Sequence, residues 1–146
     1  MNKRNHFAKW RIYTQGLKKI YGAAFSGCEK VWVVDAETFA FRPFDLRKLA
    51  EAYWRRPVVA TIEKPRHYYT QLDIAALLRL DDKTRDALVE NVYRAEDYWM
   101  YDSSSVRAMM KYVRRAHGAR DFLDVYRKRP AMEYAIYAYE QHRRPS

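Results

Sequence analysis

The chain of 146 residues is poor in the residues that build disulfides, phosphate loops and metal sites. Cys28 is the only cysteine, which excludes an internal disulfide, a zinc ribbon and a CxxC redox pair. The glycines are isolated and form no glycine-rich phosphate loop, and the histidines are scattered without His-x-x-x-His spacing. No apolar run approaches the ~20 residues that span a bilayer. The sequence therefore predicts no resident metal or cofactor and no transmembrane helix.

The composition favours one folded domain over residues 1–146. Hydrophobic residues make up 49% of the chain, which is too many for an intrinsically disordered protein. The length fits a single domain, since domains run to roughly 100–200 residues. We therefore expect a modest hydrophobic core with a large exposed surface.

The net charge of +10 is concentrated at the two ends of the chain. Residues 1–30 carry a net charge of +6, residues 31–102 a net charge of −2, and residues 103–146 again +6. Two basic ends that flank a nearly balanced middle suit an anionic partner, such as RNA, phospholipid head groups or an acidic protein face.

The N-terminal segment is basic, free of acidic residues and amphipathic. No Asp or Glu occurs before Glu29. The apolar residues Phe7, Trp10, Leu17 and Ile20 recur at spacings close to one face of a helix. This composition is typical of mitochondrial import segments, although those are also rich in serine. An ordinary basic surface helix explains the same pattern.

The apolar periodicity predicts a mainly α, irregular helical protein with at most two short strands and an extended N-terminal amphipathic helix. We expect a basic docking helix within residues 1–25, an irregular insertion over 28–68 and a helical body over 70–146. The predicted elements are a helix over 5–24, a segment at 31–34 that is either a short strand or a buried connector, a short helix at 46–54 and a possible strand at 58–62. From residue 70 the pattern is helical, with one face at Leu72, Ala75, Ala76 and Leu80, helices at 82–101, 106–117 and 121–127, and a further helix that starts at Pro130. Residues 102–105 are good N-caps, and Gly118 stands at a natural C-cap position.

One short string looks catalytic. An apolar segment, Val33-Val34, is followed by Asp35-x-Glu37-Thr38 and resembles the first motif of the DEDD-type 3′–5′ exonucleases, in which two carboxylates hold divalent metals. The string from His117 to Asp121 is similar to the closing motif of those enzymes, but it is one residue too short. Those enzymes also need a five-stranded sheet. A turn after a buried segment is the favoured interpretation, and we expect a protein that is not an enzyme.

Three segments, in order, resemble one family. They are Lys9-Trp10 with Gly16-Leu-Lys-Lys-Ile20, the basic string Met110-Lys-Tyr-Val-Arg-Arg-Ala-His117, and Pro130-Ala-Met-Glu-Tyr134 with Glu140. The family is the small matrix-side subunit seven of respiratory complex III, the ubiquinone-binding-protein type of ubiquinol–cytochrome c reductase. Residues 28–80 have no counterpart in it.

The resemblance implies a non-catalytic accessory and assembly subunit of the electron transport chain, without cofactors. Such subunits are helical and lie peripherally on the matrix side of the mitochondrial inner membrane, packed against cytochrome b and core subunits. A basic protein at that surface also meets anionic phospholipid, worth ~1 kcal/mol per Lys or Arg near the head groups.

The expected partner-docking residues combine the apolar face and its flanking cations: Phe7, Trp10, Arg11, Leu17, Lys18, Lys19 and Ile20. Lys111, Arg114 and Arg115 are expected to extend the basic surface. The alternative is an RNA-binding protein of the mitochondrial ribosome, because basic ends and abundant Tyr and Arg also suit phosphate contacts and base stacking.

Overall fold

The structure is a computed structural model that describes residues 3–34, 43–55, 61–62, 68–90, 92–93, 98–131, 135 and 139. Within these residues the chain forms six helices and four short strands. In chain order they are α1 (Lys3–Phe25), β1 (Lys30–Val34), α2 (Leu46–Arg55), β2 (Thr61–Ile62), α3 (Tyr68–Leu78), α4 (Asp82–Glu90), β3 (Val92–Tyr93), β4 (Tyr98–Asp102), α5 (Ser103–Ala116) and α6 (Phe122–Lys128). The mainly α class predicted from the periodicity is confirmed.

The prediction of a helix over residues 82–101 is wrong. Helix α4 ends at Glu90, and the described residues that follow in this segment, 92–93 and 98–101, lie in β3 and β4. Strand β4 pairs antiparallel with β1, with Val31 opposite Tyr101, and β3 pairs with β2. Tyr98 to Tyr101 is dense in aromatic residues, which favour strands, and β1 supplies the backbone partners. Each of the two predicted strand segments therefore takes its partner from chain that was expected to be helical.

Helix α1 follows the sequence prediction closely. It ends at Phe25, one residue beyond the predicted end, and Ser26-Gly27 follows as a bend. Gly27 has a φ of 76°, a left-handed conformation that glycine adopts without a steric penalty. This turn directs the chain into β1.

Helix α5 begins with a side-chain cap and is anchored to the α1–β1 connection. The Asp102 carboxylate accepts a hydrogen bond from the Ser105 N–H at 2.9 Å, so it acts as the N-cap. The buried Ser103 donates its backbone N–H to the Glu29 carbonyl at 2.8 Å and its hydroxyl to the Cys28 carbonyl at 2.5 Å. These bonds fix the start of α5 against the connection between α1 and β1.

The core lies where α1, α3, α5 and α6 meet. Its fully or nearly fully buried side chains are Ile20, Ala23 and Ala24 from α1, Ile74, Leu77 and Leu78 from α3, Val106, Met109 and Val113 from α5, and Phe122, Val125 and Tyr126 from α6. Val106, Met110 and Val113 recur at i, i+4 and i+7, a spacing that predicts one buried helix face, and all three are buried. Met109, which is not in that series, is buried as well.

Side chains at the C-terminal ends of α3 and α5 hydrogen-bond to the last carbonyl groups of the other helix. The Arg79 guanidinium donates to the Ala116 carbonyl at 2.5 Å, and the Tyr112 hydroxyl donates to the Leu78 carbonyl at 2.9 Å. His117 Nε2 lies 2.9 Å from the Leu77 carbonyl. Because the last carbonyls of a helix have no partner within it, these bonds satisfy groups that folding would otherwise leave unpaired.

Within the described residues, none of the helices combines the length and the apolar character needed to cross a membrane.

Candidate binding groove

An open groove of about 370 Å³ lies between the C-terminal part of α1, the outer side of α5 and the start of α6. Its lining residues are Tyr21 and Phe25 from α1, Arg107, Met110, Lys111 and Arg114 from α5, and Asp121 and Phe122. The groove thus combines an apolar floor with cations along one side. Its volume falls within the range of sites that bind small ligands or single side chains of a partner.

Three aromatic rings form the floor. The Tyr21 ring centroid lies 5.6 Å from that of Phe25 and 6.2 Å from that of Phe122, with both pairs tilted. These separations are within the range at which aromatic pairs stabilise each other. Phe122 is anchored in the core, while Phe25 is 66% exposed. The floor therefore runs from a buried ring to a ring that faces solvent.

The cationic side of the groove follows one stripe of α5. Arg107, Lys111 and Arg114 occur at i, i+4 and i+7, a spacing that places them along one face of a helix. Arg107 donates from Nη1 to the Ala24 carbonyl at 2.9 Å and so caps the end of α1. Among the described side chains, no carboxylate forms an ion pair with Lys111 or Arg114. These two cations are positioned to receive an anionic ligand.

Among the described residues, Asp121 is the only carboxylate that lines the groove. It is committed to the N-cap of α6, where it accepts a hydrogen bond from the Asp124 N–H at 2.8 Å. Burial raises the pKa of Tyr21 above its ordinary value, and the negative charge of Asp121 adds to this effect. Tyr21 is therefore a neutral hydrogen-bonding group at physiological pH.

Two of the predicted docking cations lie in line with the groove. Arg11, Lys18 and Phe25 follow one another at intervals of seven residues, so they share one stripe of α1. All three are exposed. The cationic surface of α1 therefore leads to the exposed end of the aromatic floor. Trp10, another predicted docking residue, is also exposed, at 45% of its surface.

Docking through Ile20 is a wrong prediction, because Ile20 is fully buried in the core of this chain. Leu17 is half-buried and packs against the same core, so it is also largely used internally. Lys19 is half-buried on another side of α1. The side chain of Phe7 lies outside the described residues. The apolar face of α1 thus serves mainly intramolecular packing.

Only two of the three residues of the predicted basic surface line the groove. Lys111 and Arg114 line it, while Arg115 is exposed on the neighbouring side of α5 and does not. The predicted docking and basic-surface residues did not include Tyr21, Phe25 or Phe122. The i, i+4 spacing of Tyr21 and Phe25 was a usable signal, but no local pattern places Phe122 beside them, because that contact joins distant parts of the chain.

A second cavity, of about 360 Å³, has a structural explanation. Arg79, Arg85, Arg129 and His117 line it with four apolar residues of the α3 region. Arg79 and His117 bond to helix carbonyls, and Arg85 pairs with Asp82 and Asp86 at 2.6 and 2.9 Å. Cations at helix C-termini also stabilise the helix dipole. The contacts of these side chains therefore stabilise the fold, and they give no indication of a ligand.

The described side chains include no group of three or more His, Cys, Asp or Glu residues that could hold a metal ion. Asp35 and Glu37, the carboxylates of the exonuclease-like string, lie outside the described residues, directly after the end of β1. Cys28 is an exposed free thiol.

Searches of protein-family models, of curated proteins and of solved structures gave no match to this chain.

Proposed function

We propose that the chain is a non-catalytic attachment subunit of a respiratory complex of the mitochondrial inner membrane. Complex III is the assembly named by the resemblance, with docking from the matrix side against cytochrome b. The observation that carries this proposal is the groove in which the Tyr21, Phe25 and Phe122 rings lie beside Lys111 and Arg114. An exposed aromatic surface beside cations is suited to contact with a neighbouring protein subunit.

The energetics of this surface favour a macromolecular partner. Burial of apolar surface contributes about 25 cal/mol per Å², and an aromatic anchor such as Phe25 offers a large area at a small entropic cost. Lys111 and Arg114 add electrostatic complementarity, which sets orientation and association rate more than affinity. Arg11 and Lys18 extend this positive surface along α1 toward anionic groups of protein or phospholipid.

The RNA-binding alternative uses the same cations in a different way. Phosphate contacts release counterions, so affinity for RNA falls steeply with salt. Docking through the aromatic floor buries apolar surface and tolerates salt much better. A ribosomal role also predicts base stacking on Phe25. Salt dependence therefore separates the two functions.

A second candidate function rests on β1. The strand expected before the exonuclease-like string is present and ends at Val34, directly before Asp35. Carboxylates placed after a strand are suitable ligands for Mg²⁺ or Mn²⁺ that bind a phosphorylated substrate. The described residues contribute two two-stranded sheets and not the five-stranded sheet of the DEDD enzymes. Mn²⁺-dependent phosphodiester hydrolysis that Asp35→Ala abolishes would establish this function over the attachment role.

The proposed function is tested by binding measurements with purified protein. Inner-membrane particles stripped of peripheral proteins and a structured ribosomal RNA serve as the two ligands, at salt concentrations from about 50 to 200 mM. We expect saturable binding to the membranes that weakens over this range by much less than binding to phosphates would, because burial of apolar surface supplies most of the affinity. Binding to RNA alone, with a steep loss as salt rises, would contradict the proposal.

A further inference from the structure

We propose that the groove receives an acidic amphipathic helix of a partner protein, an inference that rests on the proposed function and identifies the kind of partner. The cationic stripe of α5 lies beside the aromatic floor, so the groove presents positive charge and apolar surface next to each other. The cations would pair with its carboxylates, and Phe25 and Tyr21 would cover its apolar residues.

The dimensions of the cationic stripe match a helix. From Arg107 to Arg114 the stripe spans seven residue steps of α5, or about 10 Å at the α-helical rise. A partner helix that lies alongside α5 repeats its carboxylates at i, i+4 and i+7, with the same period. Its apolar stripe then falls on the neighbouring floor, where ring centroids are 5.6 and 6.2 Å apart. Both sets of contacts are satisfied in one orientation.

The charges around the groove favour a ligand that is acidic on one side only. Arg107 already donates to the Ala24 carbonyl, so Lys111 and Arg114 supply most of the available positive charge. Asp121 lines the groove as well, and the negative end of the α1 dipole lies beside Phe25. A continuous polyphosphate such as RNA would meet both unfavourable charges. A helix with one acidic stripe can instead keep all its carboxylates beside Lys111 and Arg114.

The test is photo-crosslinking in the full chain. Phe25 is replaced by p-benzoylphenylalanine in a tagged chain, and crosslinking is carried out in intact mitochondria. The crosslinked partner is then identified by mass spectrometry. The control carries the same photoreactive residue at Ala52, which is exposed on α2, away from the groove. We expect position 25 to crosslink to a protein segment whose carboxylates recur at i, i+4 spacing next to apolar residues. Crosslinks to RNA or to lipid, or none, would overturn the proposal.

Charge reversal tests the role of the cations. Lys111→Glu with Arg114→Glu should lower the position-25 crosslink by at least about tenfold, because like charges then face the partner. Arg47→Glu with Lys48→Glu makes the same change in net charge on exposed residues of α2 and should leave the yield unaltered. If the reversed variant is less stable, Lys111→Ala with Arg114→Ala replaces it, and the yield should still fall several-fold. An unchanged yield in either pair would show that the cations do not bind the partner.

Native fractionation of the same samples separates the two claims. A chain that migrates in a membrane complex while the crosslink fails or ignores charge reversal contradicts the acidic helix and leaves the attachment function standing. A chain that migrates alone contradicts the attachment function itself.

Discussion

Asp102 connects strand β4 to helix α5, and its side chain accepts two hydrogen bonds. It caps α5 through Ser105 and accepts a second hydrogen bond from the Ser104 hydroxyl. Desolvation works against the charged form. The hydrogen bonds from Ser104 and Ser105, together with the charge of Lys30, outweigh it and hold the pKa of Asp102 below its ordinary value of 3.8. The charged form is therefore the stabilising one.

Replacement of the cap should destabilise the fold by a predictable amount. We expect Asp102→Ala to lower the free energy of unfolding by about 1 kcal/mol, because the Ser105 N–H loses its partner. Asp102→Asn keeps a capping oxygen and should cost less. Urea denaturation of the three proteins at neutral pH measures the difference. Equal stability of wild type and Asp102→Ala would rule out the cap.

The lowered pKa of Asp102 gives the sign of a pH effect. A group whose pKa is depressed by folding contributes stability above its unfolded value, and this contribution is lost as the pH falls through the folded value. The stability advantage of wild type over Asp102→Asn should therefore be constant above about pH 5 and shrink below about pH 4. An advantage that grows on acidification would contradict the assignment.

Arg79 occupies a left-handed conformation, with a φ of 51°, at the end of α3. A side chain is unfavourable there, but the guanidinium caps α5 through the Ala116 carbonyl. Arg79→Ala loses this bond and keeps the strain, whereas Arg79→Gly loses the bond and relieves the strain. We expect the Ala variant to be less stable than the Gly variant by about 1 kcal/mol in thermal or urea unfolding. The reverse order would show that the backbone is not strained.

At the scale of elements, α1 is shared between the core and the surface. Its buried stripe includes Ile20, while Trp10 and Phe25 lie on exposed positions of the same helix. The sequence predicted the helix and its apolar face, because both depend on local periodicity. Periodicity does not reveal whether an apolar face meets the same chain or another one. This is why Ile20 was assigned to a partner.

The core role of Ile20 is tested by truncation. Ile20→Ala should cost about 2–5 kcal/mol, the range for removing a large aliphatic side chain from a packed core. Trp10→Ala is the matched control on an exposed position and should change stability by no more than about 0.5 kcal/mol. Denaturant unfolding provides both values. A small effect of Ile20→Ala would return this residue to the set available for docking.

The strands show where local patterns mislead. Leu88, Val92, Ala95 and Trp99 fit a helical spacing, yet Val92 lies in β3 and Trp99 in β4. The deciding interaction is the pairing of β4 with β1, across about seventy residues of sequence, which no local window contains. Helix caps are easier to predict from sequence than strand pairs. The Asp102 and Asp121 side chains each accept a hydrogen bond from the N–H three residues later, so the whole interaction lies within a local window.

The pairing can be tested by disrupting only one of its strands. Val33→Pro removes a backbone donor in β1 and should expose the amides of residues 98–102 to hydrogen exchange, since these pair with β1. The amides of α5 beyond its first turn should remain protected. Unchanged protection of 98–102 would indicate that this segment does not depend on β1.

At the scale of the whole molecule, the groove depends on three elements that come together only in the folded chain. Its cations were predictable from the basic stripe of α5, and its aromatic floor was not, because Tyr21 and Phe122 are about one hundred residues apart. An exposed aromatic surface with a cationic edge is typical of interaction sites. We therefore expect the chain to form one part of a larger assembly.

Native gel fractionation of the tagged chain from solubilised mitochondria tests this claim most directly. Antibodies to cytochrome b and probes for ribosomal RNA follow the two candidate assemblies on the same gel. We expect the chain to migrate in the high-mass band that contains cytochrome b, and we expect Phe25→Ala with Lys111→Glu to shift it out of that band. Migration as a free monomer, or with ribosomal RNA, would contradict it.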